Sequence, residues 1–322
     1  MVTGGAGFIG SHLTARLAQD GRRVRVLDSL AGKASQKRAG RLAALPNVEI
    51  VPGDIRDAAL CRQVLADAEW VFHHAAEVSV PQSVVDPAAC IEVNLGGTVN
   101  LLEAARASGA LKRFVLASSC AVYGDAPGVD HSEASPVAPL SPYATSKLAG
   151  EYLCRNYFAL HGVPTVCLRY FNAYGPDQDP NGAYAAVIPK FIAAILANET
   201  PTVYGDGEQS RDFVFVEDIV NANLRAAVGE KALGQSLNIG SGRSVSLNEI
   251  LRKLADATGR KFAVDRRPAR VGDIKHSRAD IAAAANLLEF SPKTTLEDGL
   301  ARTLQWYQSE AALFGRTRHR EV

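Results

Sequence analysis

Residues 4–13 read GGAGFIGSHL, and this stretch decides the fold. Gly4, Gly7 and Gly10 open an amphipathic segment that carries Phe8, Ile9, Leu13 and Leu17. Glycine permits a tight strand-to-helix turn and close backbone approach, while a helix N-terminus offers free N–H groups and a positive dipole to a pyrophosphate. A tight turn needs no ligand, so context decides between the two readings. Asp28 ends the next apolar run, VRVLD, 18 residues after Gly10. A carboxylate there accepts from both ribose hydroxyls of a dinucleotide and repels a 2′-phosphate, which favours NAD over NADP. Arg22, Arg23 and Arg25 precede that strand end, and Lys33 follows it. A third strand ends in Gly53-Asp54-Ile55, which offers a carboxylate and an apolar wall for adenine; the alternative is a plain helix cap.

Upstream of the glycines stand only Met-Val-Thr. A buried parallel strand normally has about five or six residues. Either the chain starts further upstream or the strand is unusually short; an intact mass of the natively expressed protein matching Met1 would exclude the first.

Downstream, short apolar runs at 23–27, 48–51, 70–72 and 114–117 each precede a longer amphipathic segment. Such alternation specifies a parallel sheet wrapped by helices. Three- and four-residue apolar spacing predicts long helices over about 88–108 and 142–161, and 163–169 reads as a further strand. After Tyr174 the pattern changes to loops rich in Gly, Pro and Asp with shorter elements. The division is therefore residues 1–174 as a dinucleotide-binding part and 175–322 as a smaller α/β substrate part, with a strand and helix near 210–239 rejoining the first.

The 322 residues carry 35 Lys plus Arg against 34 Asp plus Glu, 47% hydrophobic and 21% charged residues. This composition excludes disorder, collagen and coiled coil. A net charge of +1 supplies no general field for nucleic acid or an anionic membrane, so any anion must be met locally. The longest apolar candidate, 183–197, is interrupted by Pro189 and Lys190 and falls short of the roughly 18 residues of a membrane span. Five scattered cysteines (Cys61, Cys90, Cys120, Cys154, Cys167) and no secretory leader imply a reducing, cytoplasmic setting. His73 and His74 end an apolar strand and read as packing residues, so no metal site is expected; the basic tail 316–320 reads as a solvated end.

Tyr143 and Lys147 lie four residues apart in SPYATSKLAGEYL, on one face of the second long helix. A phenol near pKa 10 is a poor base at neutral pH, but an adjacent ammonium and a positive nicotinamide ring stabilise its phenolate. Ser118 and Ser119 end the apolar strand FVLA, at the edge where parallel strands face a ligand crevice. Together GGAGFIG, Asp28, SSCAVYG at 118–124, Tyr143 with Lys147, and LRYFNAYG at 168–175 resemble the extended short-chain dehydrogenase/reductase superfamily, in its NAD-dependent epimerase/dehydratase branch. The resemblance runs from residue 2 to about 312 and implies a Rossmann-type doubly wound sheet with NAD as cofactor. It further implies Tyr143 as acid/base, Lys147 on the nicotinamide ribose, Ser119 on the substrate oxygen and Ser118 as structural. Asn94 then supports the site, and Ala75, Ala76 and Tyr170 line the dinucleotide.

Members of this superfamily begin by oxidising a sugar-nucleotide hydroxyl. Dehydratases carry Asp-Glu or a lone Glu after the catalytic Ser/Thr, where this chain has Cys120 and Ala121. Neither shuttles a proton for elimination, so return of hydrogen to the other face, epimerisation, is the expected outcome. Asn172, Val187, Arg211, Arg270 and Asp273 match the family's sugar-nucleotide ligands, and Arg suits phosphate by its planar fork of donors. The segments 178–192 and 272–280 resemble bacterial and archaeal UDP-hexose 4-epimerases. In the second, Ser277 stands at the family's gate beside carbon 2, where a small residue admits an N-acetyl group. UDP-GlcNAc and UDP-GalNAc are therefore expected substrates beside UDP-glucose and UDP-galactose. The competing readings are an epimerase for UDP-glucuronate or UDP-pentoses, a dehydratase or reductase, and a non-catalytic NAD-binding protein. Relatives commonly dimerise through the two long helices as a four-helix bundle, which makes a homodimer the expected assembly.

Overall fold

The computed structural model describes residues 1–125, 130–181, 186–269 and 275–318, with side chains described to residue 310. Seven strands form the main sheet: β1 (Val2–Thr3), β2 (Val24–Asp28), β3 (Val48–Pro52), β4 (Trp70–His73), β5 (Arg113–Ser119), β6 (Thr165–Tyr170) and β7 (Ser236–Ile239). They lie in the order β7-β6-β5-β4-β1-β2-β3, and every neighbouring pair is parallel. The chain therefore winds outward in both directions from β1. Its switch point falls between β1 and β4, where open α/β sheets bind ligands beyond their carboxyl ends.

Both faces of the sheet are covered, so alternate residues of each strand enter different cores. On β5, Val115 and Ala117 join Leu13, Leu17, Val26 and Ile219 on one face. Phe114 and Leu116 join Leu27, Val71, Leu101 and Cys154 on the other. The helix Val216–Val228 supplies Ile219 to the first of these cores, and β7 adds an edge to the sheet, so a segment beyond residue 210 packs onto the main sheet. A separate apolar cluster around Tyr174, Ile188, Phe191, Phe215 and Ile250 supports the second half. There the strands have two or three residues: Ser210–Arg211 beside Val245–Ser246, Phe213–Phe215 beside Asn172–Tyr174, and Arg278–Ala279 beside Asp130–His131.

The helix Pro142–His161 begins where Ser141 Oγ accepts from Ala144 N and Pro142 fixes the first turn, and it stops at Gly162, φ +68°. The other long helix differs from the even periodicity of the sequence. It runs as Pro87–Ile91, a π-helical turn Glu92–Gly96, and Gly97–Ala107. The wider turn brings the Asn94 side chain inside, where it accepts from Glu77 N at 2.7 Å and donates to Glu77 O at 3.0 Å. Among the described residues no helix is long and apolar enough to cross a membrane.

β1 is two residues long, as short as the sequence implied. The Met1 ammonium donates to Trp70 O at 2.7 Å, and burial lowers its pKa to about 5. Beside it, a groove of about 690 Å³ opens among the starts of β2, β3 and β4, lined by Arg23, Arg25, Glu49, Asp67 and Trp70.

Candidate functional site

The glycine turn follows β1 directly. Gly4 has φ +63°, and a Cβ on it would stand 2.6 Å from Ala75 N. A Cβ on Gly10 would stand 2.2 Å from Gly4 O, so the helix Phe8–Gln19 approaches the turn as only glycine allows. Gly7 caps that helix without a side chain, which leaves the first-turn N–H groups of Phe8, Ile9 and Gly10 for an anion. Asp28, buried at the end of β2, accepts from Ala6 N and Leu30 N, both at 2.9 Å, one on each oxygen. Each oxygen keeps a lone pair for a ribose hydroxyl. Ala75 and Ala76 follow β4, and Ala75 N donates to Thr3 Oγ1 at 3.2 Å. These residues fit a dinucleotide: a side-chain-free cradle, an uncapped helix start and a carboxylate at the next strand end.

At the end of β3, Ile55 is buried. Asp54 pairs with Arg56 at 2.8 Å, and that guanidinium holds its carboxyl below the usual range. The next helix is capped instead by Asp57, which accepts from Ala59 N and Leu60 N. The cap reading of Asp54 is therefore excluded.

The candidate reacting groups meet beyond β5. Three successive strand residues face three residues spaced four apart on the helix Pro142–His161. Ala117 O accepts from Lys147 Nζ at 2.9 Å, Ser118 Oγ donates to Glu151 Oε1, and the Ser119 side chain lies near the Tyr143 phenol. Asn94 Nδ2 donates to Ser146 Oγ at 2.9 Å, and Ser146 Oγ donates to Tyr143 O at 2.7 Å. The π turn thus fixes the backbone of the tyrosine. Tyr143 N donates to Ser83 Oγ at 3.2 Å.

Burial raises the Tyr143 phenol to about 12, opposed by the nearby Ser119 hydroxyl. Burial also lowers Lys147 to about 8, and its Nζ stands 5.9 Å from the Tyr143 ring centroid. In the protein by itself desolvation outweighs the help that the sequence assigned to the ammonium, so an active phenolate needs further positive charge. Cys120, next to Ser119, is raised by burial to about 12 and stays a neutral thiol. His73 lies between Thr3 Oγ1 at 2.7 Å and Thr98 Oγ1 at 2.9 Å. His74 stacks on Tyr170, and burial lowers it to about 3. Tyr170, at the end of β6, donates to Asn223 Oδ1 at 3.0 Å.

Of the sugar-nucleotide candidates, Asn172 donates from N and Nδ2 to Asp212 O at 2.9 and 3.0 Å. Arg211 Nη1 donates to Ser210 O at 3.0 Å, and Val187 begins the helix Val187–Leu196. Ser277 is buried, with its N–H on Ser210 O at 3.1 Å. Arg270 and Asp273 lie outside the described residues. Sequence spacing missed Asp212, whose buried carboxylate accepts from Ser241, Gly242 and Ala279 and so joins three segments. It also missed Glu151 with Arg169. The available signal was a charged residue on the buried face of the helix, two turns after Tyr143.

A doubly wound parallel sheet with a glycine turn, a buried carboxylate at the next strand end and a Ser/Tyr/Lys set beyond β5 defines a dinucleotide-dependent enzyme of the short-chain dehydrogenase/reductase type. Residues 1–240 match the NAD dependent epimerase/dehydratase family, and the chain belongs to that family, with NAD as its cofactor. It is 40% identical over 316 residues to a UDP-glucose 4-epimerase of Mycolicibacterium smegmatis, covering 97% of this chain and 99% of the relative. Its fold matches a UDP-N-acetylglucosamine 4-epimerase of Methanobrevibacter ruminantium, solved with UDP-N-acetylmuramic acid, at TM-score 0.90 and 38% identity over 96% of this chain and 97% of that one. It also matches a UDP-glucose 4-epimerase of Thermotoga maritima, solved with UDP-glucose, at TM-score 0.90 and 35% identity over 96% and 98% of the two chains.

Proposed function

We propose that the protein is an NAD-dependent UDP-hexose 4-epimerase that interconverts UDP-glucose with UDP-galactose and UDP-GlcNAc with UDP-GalNAc through a 4-keto sugar. The observation that carries this reading is that Ser119 at the end of β5 and Tyr143 on the facing helix lie near each other, with a neutral Cys120 and then Ala121 following Ser119. That arrangement serves proton exchange at one hydroxyl and offers nothing at these two positions to eliminate water.

In this reading Tyr143 takes the proton of the 4-hydroxyl and later returns it, while Ser119 hydrogen-bonds the same oxygen. NAD, when bound, supplies the acceptor and then the donor of the hydrogen at carbon 4. Lys147 holds the nicotinamide ribose, and Gly4, Gly7, Phe8, Ile9 and Gly10 meet the pyrophosphate. Asp28 takes the adenosine ribose, Asp54 and Ile55 the adenine, and Ala75, Ala76, Asn94 and Tyr170 line the remainder. Asn172, Val187, Arg211, Arg270 and Asp273 anchor UDP, so the keto sugar can turn and present its other face. Ser277 leaves room for the N-acetyl group. The working division is residues 1–174 for NAD and 175–322 mainly for the sugar nucleotide, with 210–239 returning to the first part. We read the assembly as a homodimer through the helices of 87–107 and 142–161, on whose surface Tyr152 and Leu160 are exposed. A cytoplasmic setting agrees with five free cysteines.

The test is a panel of the four UDP-sugars together with UDP-glucuronate, each incubated separately and resolved as epimers. Both members of a pair should converge on one ratio. A stable keto product would favour a dehydratase instead, and turnover confined to uronic acid forms would move the substrate.

A further inference from the structure

Behind the reacting pair lies a buried polar chain that the proposed reaction does not use. Glu151, 4% exposed, takes Arg169 in a bidentate grip, with Nε on Oε1 at 2.9 Å and Nη2 on Oε2 at 2.7 Å. Its Oε1 also accepts from Ser118 Oγ. Arg169 continues through Nη1 to Tyr123 OH at 2.9 Å, and that hydroxyl donates to Asn238 Oδ1 at 2.6 Å. Asn238 Nδ2 then donates to His131 O at 2.8 Å and Asp280 O at 3.2 Å. Those carbonyls belong to or directly follow the paired strands Asp130–His131 and Arg278–Ala279, the second of which begins just after Ser277.

We propose that Glu151, through its pair with Arg169, is a positioning residue for Ser119 and Tyr143 and ties them to the strand beside Ser277. The inference rests on the reading of Ser119 and Tyr143 as the reacting pair. A buried ion pair is a poor source of stability, because desolvation cancels most of its attraction and an apolar pair of similar volume often does as well. It does fix geometry. Ser118 is the residue before Ser119, and Glu151 is two helical turns beyond Tyr143. Their bond therefore sets the end of β5 against the helix, and Arg169 sets β6 against both. Misplacement of reacting groups by about 1 Å costs about a hundredfold in rate.

The experiment compares wild type, Ser118→Ala, Tyr123→Phe and the double variant Glu151→Leu/Arg169→Met with UDP-galactose. Melting temperature and bound NAD per chain are measured beside kcat and KM. Removal of either hydroxyl should lower kcat about tenfold, and the apolar double variant about a hundredfold, with KM within about twofold and NAD content unchanged. A folded double variant with wild-type kcat would overturn the inference, as would losses that follow the folded fraction or appear in KM alone. If the double variant does not fold, the single variants decide, and unchanged kcat in both overturns it. A wild type inactive on every UDP-sugar overturns the reading beneath the inference as well; an active wild type with unaffected variants overturns the inference alone.

Discussion

Lys147 Nζ donates to the carbonyl oxygen of Ala117 at 2.9 Å, from a helix position buried beside Tyr143. The bond anchors the ammonium at the carboxyl end of β5, but its desolvation lowers the pKa from 10.5 to about 8. A lysine whose folded value lies below its unfolded one costs stability while protonated, below about pH 8. That cost fades as pH rises from about 8 to 10.5. Lys147→Met should therefore stabilise the cofactor-free protein by about 1–3 kcal/mol at pH 7, after about 1 kcal/mol is lost at the orphaned carbonyl. The gain should shrink towards pH 10 in urea unfolding, while kcat falls at least about a hundredfold. A variant less stable than wild type at pH 7 would contradict the desolvation argument.

Tyr143→Phe removes the hydroxyl near Ser119 and leaves the ring and helix in place. Turnover of UDP-galactose should fall by about a thousandfold or more, with UDP affinity by calorimetry within about threefold of wild type. Retained turnover would show that the phenol is not the proton carrier.

Asp28→Asn keeps the shape of the residue but takes away the charge and one of the two acceptors that hold Ala6 N and Leu30 N. NAD affinity, followed by fluorescence titration, should weaken about 10- to 100-fold. The ratio of NAD to NADP affinity should drop as well, because the carboxylate no longer repels a 2′-phosphate. An unchanged ratio would mean that discrimination resides elsewhere.

What the sequence disclosed were positions where backbone geometry restricts residue type. Gly4 and Gly10 admit no side chain, and Asp28 ends a strand. Tyr143 and Lys147 were legible because four-residue spacing is a property of one helix. The hydrogen-bonded chain from Ser118 to Asn238 was not, because Tyr123 and Asn238 are 115 residues apart and only the folded sheet brings them together. The π turn at Glu92–Gly96 escaped for another reason. Its apolar pattern passes for an α-helix, and the amide of Asn94 inside it is satisfied by Glu77, which lies before that helix. The second half was the least legible, since its strands of two or three residues are too short to show alternation.

Ser277 sits in that second half, 7% exposed, between Ser210 O, which accepts its N–H, and Ser244 Oγ, which donates to its carbonyl at 3.3 Å. Its backbone is thus fixed from both sides, so a larger side chain must extend into the space beside it instead of moving the strand. Ser277→Tyr should cut kcat/KM for UDP-GalNAc at least about tenfold relative to UDP-galactose, since it removes room that only the N-acetyl group requires. Overpacking at a buried position costs about 1–3 kcal/mol, so the melting temperature is measured alongside and Ser277→Ala serves as the small-residue control. The control should keep the wild-type ratio. If Ser277→Tyr folds and the ratio of the two substrates stays where it was, Ser277 does not set the width of the pocket, and acceptance of N-acetylated sugars must be governed by another wall of the site.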